Sequence, residues 1–208
     1  MRVLVLGATG RVGSEAVRLA CSAGHEVTAF VRDPTKFSGD AGVRVVVGDI
    51  AHPESLAAAL QAGCDSVLNA VGVDPLKPST FVTDSTREIL AAMEVAKVTR
   101  YVAVSGTANM PEKTAFGSFT AFALGLTPVR HAMRDHRAAF EIVRNSKLDW
   151  SLAGCPWIKD GAATGAYVES AIFPGGFKSI QPGDVAHFLT KILARSDYSK
   201  KIIGIWNA

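Results

Sequence analysis

The segment Gly7-Ala8-Thr9-Gly10-Arg11-Val12-Gly13 constrains this chain more than any other stretch. It follows the apolar run Val3-Leu4-Val5-Leu6 and opens a helical pattern from Val12 to Ala23. A strand, a glycine turn and a helix therefore stand in direct succession. Glycine permits a tight turn and lets a ligand approach the main chain with no side chain in between. The helix behind it presents free N–H groups and the positive end of its dipole to whatever sits in the turn, an arrangement that suits a pyrophosphate. The spacing is Gly-x-x-Gly-x-x-Gly rather than the commoner Gly-x-Gly-x-x-Gly of dinucleotide-binding turns. The plain alternative is a turn that needs glycine only for its own geometry.

The rest of the chain extends the pattern. Short apolar runs at 2–6, 26–31, 43–47, 66–70, 101–104, 149–152, 167–172 and 202–205 read as strands. Helical patterns fall between them at 12–23, 53–61, 80–96, 131–145 and 183–194. Strands that are apolar on both faces imply a parallel sheet covered by helices on either side. Strand–helix alternation gives right-handed crossovers. The expected architecture is α/β: a doubly wound, mostly parallel sheet of the Rossmann type, in a single domain over residues 1–208. Ligands bind such sheets at the carboxyl ends of the strands, near the switch in strand order. One segment interrupts the alternation. Residues 107–130 hold Phe116, Phe119, Phe122, Leu124 and Leu126 with Gly117, Gly125 and Pro128 among them. A packed hydrophobic connection, an apolar lid over a substrate and a dimer contact all fit it.

Composition narrows the classes. With 208 residues, 48% hydrophobic and 20% charged, the chain is globular and long enough for a sizeable core. A net charge of +3 argues for no nucleic-acid partner and mildly favours an anionic ligand. No apolar run approaches a membrane span, and the start of the chain lacks a signal-peptide pattern. Cys21, Cys64 and Cys155 are odd in number and far apart, which fits reduced thiols in a cytoplasmic protein. No metal-ligand spacing and no nucleophile–base motif is present. A monomer or a weak homodimer is expected.

The choice of nucleotide turns on Val31-Arg32-Asp33-Pro34-Thr35-Lys36, at the distance from the glycines where a ribose-binding acid usually stands. Arg32 can grip a 2′-phosphate through two parallel hydrogen bonds, with Lys36 and Arg11 adding positive charge. This favours NADP (NADPH) over NAD. Asp33 supports the rival reading, a ribose hydroxyl contact, although Asp before Pro is also an ordinary turn. Asp49, in Gly48-Asp49-Ile50, can accept from an adenine amino group with Ile50 packed on the ring, or can merely cap a helix. Val71 and Gly72, after the fourth strand, leave room for a ribose.

These residues resemble the NmrA-like group of atypical short-chain dehydrogenases/reductases, and within it the flavin reductase (biliverdin IXβ reductase) type. The likeness includes the turn at 7–13, Val31-Arg32-Asp33, Val47-Gly48-Asp49-Ile50 and Tyr101-Val102-Ala103-Val104-Ser105. It continues in Asp135-His136, Leu148-Asp149-Trp150-Ser151, Thr164-Gly165-Ala166-Tyr167 and the segment 183–188. The resemblance implies NADP(H) binding and hydride transfer to a planar conjugated acceptor: a flavin, a quinone or an open tetrapyrrole. It places Gly7, Thr9, Gly10, Arg11 and Val12 on the pyrophosphate, Arg32 and Lys36 on the 2′-phosphate, and Asp49 and Ile50 on adenine. Val71 and Gly72 then line the ribose. Val104, Ser105, Gly106 and Thr107 pass beside the nicotinamide, Pro156, Trp157 and Ile158 close its other side, and His136 lies near the cofactor.

The departures fall on the chemistry. The Tyr-x-x-x-Lys pair of short-chain dehydrogenases is absent, since Tyr101, Tyr167 and Tyr198 all lack the lysine. The serine of the reductases aligns with Gly106, leaving Ser105 or Thr107 to replace it. Their histidine aligns with Trp157, which stacks on a flat acceptor but donates no proton as an imidazolium does. Hydride transfer from an aligned, stacked pair remains possible without a dedicated acid. Candidate catalytic residues are therefore Ser105, Thr107, His136 and Trp157. Two other functions stay open: an NAD(P)-sensing regulator without turnover, and a biosynthetic enzyme that uses the fold for a non-redox isomerisation or cyclisation.

Overall fold

The computed structural model describes residues 1–39 and 42–207. Its first half is strand β1 (Arg2–Leu6), helix α1 (Arg11–Ser22), β2 (Glu26–Val31), β3 (Arg44–Val47), α2 (Pro53–Gln61), β4 (Ser66–Asn69), α3 (Phe81–Ala96) and β5 (Arg100–Gly106). Then follow β6 (Glu112–Lys113), α4 (Ala115–Gly125), α5 (Arg130–Arg144), β7 (Asp149–Cys155), β8 (Trp157–Ile158), β9 (Val168–Ser170), β10 (Ile172–Phe173), β11 (Ser179–Ile180), α6 (Pro182–Ile192) and β12 (Lys201–Trp206).

The eight-stranded sheet runs β3-β2-β1-β4-β5-β7-β12-β9. All neighbours are parallel except β12 and β9. The direction of winding reverses between β1 and β4, which sets the crevice for a ligand above their carboxyl ends. Alternate residues of β1 feed opposite cores. Leu4 and Leu6 join Phe30, Ile89, Met93, Tyr101 and Trp150 on one face. Val3 and Val5 join Ala16, Val17, Val102, Phe188 and Leu189 on the other. The uninterrupted apolar runs of the sequence are thus the mark of a sheet buried on both sides.

Two expectations change. The edge strand β3 is not buried on both faces, for Val45 and Val47 are exposed. The run read as one strand at 167–172 breaks into two, because β9 pairs with β12 while β10 pairs with β6. The Ser170 hydroxyl donates to the Ile172 carbonyl and accepts its N–H at the break. The segment 107–130, which breaks the strand–helix alternation, contains helix α4, whose N-cap Thr114 accepts from the Gly117 N–H at 3.0 Å. Among the described residues no helix is long and apolar enough to cross a membrane.

Candidate functional site

The glycine turn lies at the reversal of strand order. Gly7 has φ of +76°, and a Cβ there would stand 2.9 Å from the Ala70 carbonyl and the Val71 nitrogen at the end of β4. A Cβ on Gly13 would stand 2.0 Å from the Gly7 carbonyl oxygen. Both glycines serve the close meeting of β1, β4 and α1, which by itself demands glycine at these positions. Gly10 differs. It is the exposed N-cap of α1, in extended conformation, with no side chain to occupy the helix end. Ser14 N–H makes the bond to the Gly10 carbonyl, so the amides of Arg11, Val12 and Gly13 lie ahead of it at the helix terminus. That cradle fits a pyrophosphate.

Beside the cradle, Thr9, Arg32, Asp33 and Lys36 line an open recess of about 310 Å³. Asp33 is committed to the turn: its Oδ1 accepts from the Thr35 N–H at 3.1 Å and the Thr35 hydroxyl at 2.6 Å. Its carboxyl is held below the usual range first by the Thr35 hydroxyl and then by the Thr35 amide. The other oxygen lies 3.7 Å from the Lys36 ammonium. Among the described residues the exposed Arg32 guanidinium has no hydrogen-bond or ion-pair partner. Asp49 caps the end of β3 by accepting from the Ala51 N–H at 3.0 Å. Ile50 is buried in the core with Phe30 and Leu56. Val71 is half-buried and Gly72 exposed above β4.

Arg11 reaches across the cleft to Asp160, Nη1 to Oδ1 at 2.5 Å, and so joins the glycine turn to the segment after β8. No local pattern announces a pair so distant in sequence. Pro156 and Ile158 are half-buried, while Trp157 between them is exposed. β8 is held by a parallel ribbon with β11, in which Trp157 is opposite Ser179. The segment after it is fixed by the Asp184 carboxylate, which accepts from the Thr164 and Gly165 amides and from Asn207 Nδ2.

The third cluster lies under β5. A cavity of about 20 Å³ is bordered by Asn69, Val71, Tyr101, Val104, Ser105 and His136. Tyr101 is wholly buried and accepts from Asn69 Nδ2 at 2.8 Å. Burial pushes its phenol up to about 12, so this tyrosine is no acid at neutral pH. His136, half-buried on α5, borders this cavity. Its neighbour Asp135 is buried and accepts from the Val82 and Thr83 amides at 3.0 and 2.8 Å, capping α3 from α5. Asn109 is buried beside Ser105 and His136. Its polar side chain in a connecting turn carries no motif by which the sequence alone would single it out. Gly106 and Thr107 are half-buried at the end of β5.

Burial, only partly offset by the Asp135 carboxylate, lowers the His136 pKa below its ordinary value. The unfolded chain therefore binds a proton that the folded chain refuses. Stability from this group is full above the unfolded pKa of about 6.5 and is lost as pH falls through it toward the folded pKa. His25 is shifted the same way by burial and the N-terminal ammonium. The His136→Gln variant should consequently show a shallower fall in urea-unfolding free energy than the parent as the pH goes from about 7 to about 5. Equal slopes would rule out a lowered His136 pKa in the folded chain.

Fold and site together define a Rossmann-type dinucleotide-binding protein. Residues 7–196 match the NAD(P)H-binding family, and the chain belongs to that family. The NmrA-like short-chain dehydrogenase/reductase resemblance agrees with it. The chain is 35% identical over 112 residues to an NAD(P)H azoreductase of Xenophilus azovorans, a match that covers 53% of this chain and 37% of that one. It spans well under two thirds of the length of the curated relatives it matches. Among solved structures, a short-chain dehydrogenase/reductase from Veillonella parvula in complex with NADP aligns with a TM-score of 0.81 at 15% identity, covering 99% of this chain and 94% of that one. ChuY, an anaerobillin reductase from Escherichia coli O157:H7, aligns with a TM-score of 0.76 at 20% identity, covering 100% of this chain and 97% of that one. At these identities the structural likeness speaks for the fold.

Proposed function

We propose that the protein is an NADPH-dependent reductase that passes hydride to a small planar conjugated acceptor of the flavin, quinone or tetrapyrrole class. The observation that carries the coenzyme choice is the unpartnered Arg32 in a recess where Asp33, the residue that would favour NAD, is tied to its own turn. Gly10 and the first amides of α1 hold the pyrophosphate, Arg32 and Lys36 the 2′-phosphate, and Val71, Gly72 and Val104 flank the nicotinamide riboside. The coenzyme, when bound, supplies the hydride. The chain's own task is alignment and exclusion of water. Trp157 offers an exposed indole face on which a flat acceptor stacks. The azoreductase and anaerobillin reductase names of the compared proteins support an acceptor of this shape.

The test is NADPH oxidation followed by absorbance with FMN and with menadione as acceptors. Trp157→Ala should raise the acceptor KM at least about fivefold, from the ~1 kcal/mol worth of an aromatic stack, and leave NADPH affinity within twofold. If neither quantity changes, Trp157 is not the acceptor platform. A second reading has its own support. Phe116, Phe119 and Phe122 along α4 and Leu126 just after it are 60–71% exposed, a surface able to meet a protein partner. A nucleotide sensor of this kind predicts tight coenzyme binding with no turnover for either acceptor.

A further inference from the structure

The dinucleotide reading leaves two hydroxyls, Ser105 and Thr107, beside the nicotinamide without saying which one acts or in which sense. Asn109 decides between them. It ends the short helical turn Thr107–Asn109 after β5 and is 2% exposed. Its Nδ2 lies 3.0 Å from the His136 carbonyl oxygen and 3.1 Å from Ser105 Oγ. A main-chain carbonyl only accepts, so the amide nitrogen, not the oxygen, must face this pair. Ser105 therefore accepts from Asn109. A serine hydroxyl has one proton, and among the described residues Ser105 Oγ has no other partner. That proton is free for the cavity that Ser105 shares with Val71, Val104 and His136. Among the described residues Thr107 Oγ1 has no such tether.

We propose that Asn109 is a positioning residue that turns the Ser105 hydroxyl proton into this cavity, making Ser105 a hydrogen-bond donor to the nicotinamide-riboside end of the bound coenzyme. The inference rests on the dinucleotide reading given above. Asn109 also ties the His136 turn of α5 to the end of β5, so the donor and the cavity wall are set by one side chain. Aspartate in its place would keep the shape but only accept when ionised, drawing the Ser105 proton back to itself.

Titration calorimetry on the full chain tests this. The parent, Ser105→Ala, Asn109→Asp and the double variant are titrated with whichever coenzyme the parent takes up. They are titrated in parallel with the fragment that lacks the nicotinamide riboside, 2′-phospho-ADP for NADPH or ADP for NADH. Each single variant should weaken the whole coenzyme by up to about tenfold, as for one hydrogen bond, and the fragment by less than twofold. The double variant should bind no more weakly than Asn109→Asp, since without Asn109 the Ser105 proton is no longer offered to the cavity and its loss removes nothing more. Additive losses, or equal losses for coenzyme and fragment, overturn the proposal. Should Asn109→Asp fail to fold, Asn109→Ser removes the reach to Ser105. It should weaken the coenzyme alone, and an unchanged affinity overturns the proposal. A well-folded parent that binds neither coenzyme refutes the dinucleotide reading itself, a result distinct from failure of the Asn109 role.

Discussion

Arg32→Ala should weaken NADPH binding by roughly ten- to a hundredfold while leaving NADH binding within about twofold, the range expected for losing charge-assisted hydrogen bonds worth about 1.5–3 kcal/mol. The guanidinium lines the recess with Thr9 and Lys36 and has no partner within the described residues, so its removal orphans nothing in the free protein. The loss is then a loss of ligand contact. Arg32 is exposed, and salt screens an exposed charge pair, so the gap between the two coenzymes should narrow as ionic strength rises. Lys36 is left to attract the phosphate, so some preference should survive the substitution, and only some, because its ammonium is shared with Asp33 at 3.7 Å. Calorimetric titration of both coenzymes against both proteins gives the numbers. Equal losses for NADPH and NADH would remove the 2′-phosphate from this recess and with it the case for NADP.

The elements that could be read from the sequence are those whose physics is local. β1, β2, β4, β5 and β7 announce themselves as apolar runs because each strand packs on both faces. The turn at 7–13 was legible because close backbone approach demands glycine, and the structure locates those approaches at Ala70 and at the Gly7 carbonyl. Helix α4 was not legible. Its glycines and phenylalanines are poor helix formers, its apolar stripe faces outward, and only the Thr114 cap marks its start. The strands β6, β8, β10 and β11, of two residues each, are too short to carry a period. In the site, Arg32 could be named from its place after a strand, and Trp157 only through the family resemblance. The Arg11–Asp160 pair and the Asn109 bridge to Ser105 and His136 could not, because they arise only when distant segments meet over the sheet. Asp33 shows the reverse case: the turn chemistry of Asp-Pro, visible in the sequence, is what the structure finds.

The glycine turn allows its two tasks to be separated by a pair of methyl groups. Gly13→Ala should destabilise the fold by at least about 2–3 kcal/mol, at the upper end of the cost of overpacking, with several degrees lost from Tm. The new Cβ would lie 2.0 Å from the Gly7 oxygen and 2.6 Å from its carbonyl carbon. These are main-chain atoms of a turn that already carries Gly7 at positive φ and abuts β4, so no flexible side chain can yield. Either α1 moves away from β1 or the turn opens, and both displace the amides of the cradle. Gly10→Ala should behave otherwise. Gly10 has φ of −82° and ψ of 167°, which alanine adopts freely, and its Cβ would meet only the Gly7 oxygen, at 3.2 Å. Tm should fall much less than for Gly13→Ala, since a 3.2 Å contact asks for a shift of only a few tenths of an ångström. The methyl group would nevertheless project at the mouth of the helix terminus, where a pyrophosphate must touch the main chain, so affinity for both coenzymes should fall together by at least about tenfold. Calorimetric unfolding and coenzyme titration on the two variants separate the roles: one glycine fails in the fold, the other in the ligand. A Gly10→Ala protein that binds both coenzymes as the parent does would mean that the pyrophosphate lies elsewhere.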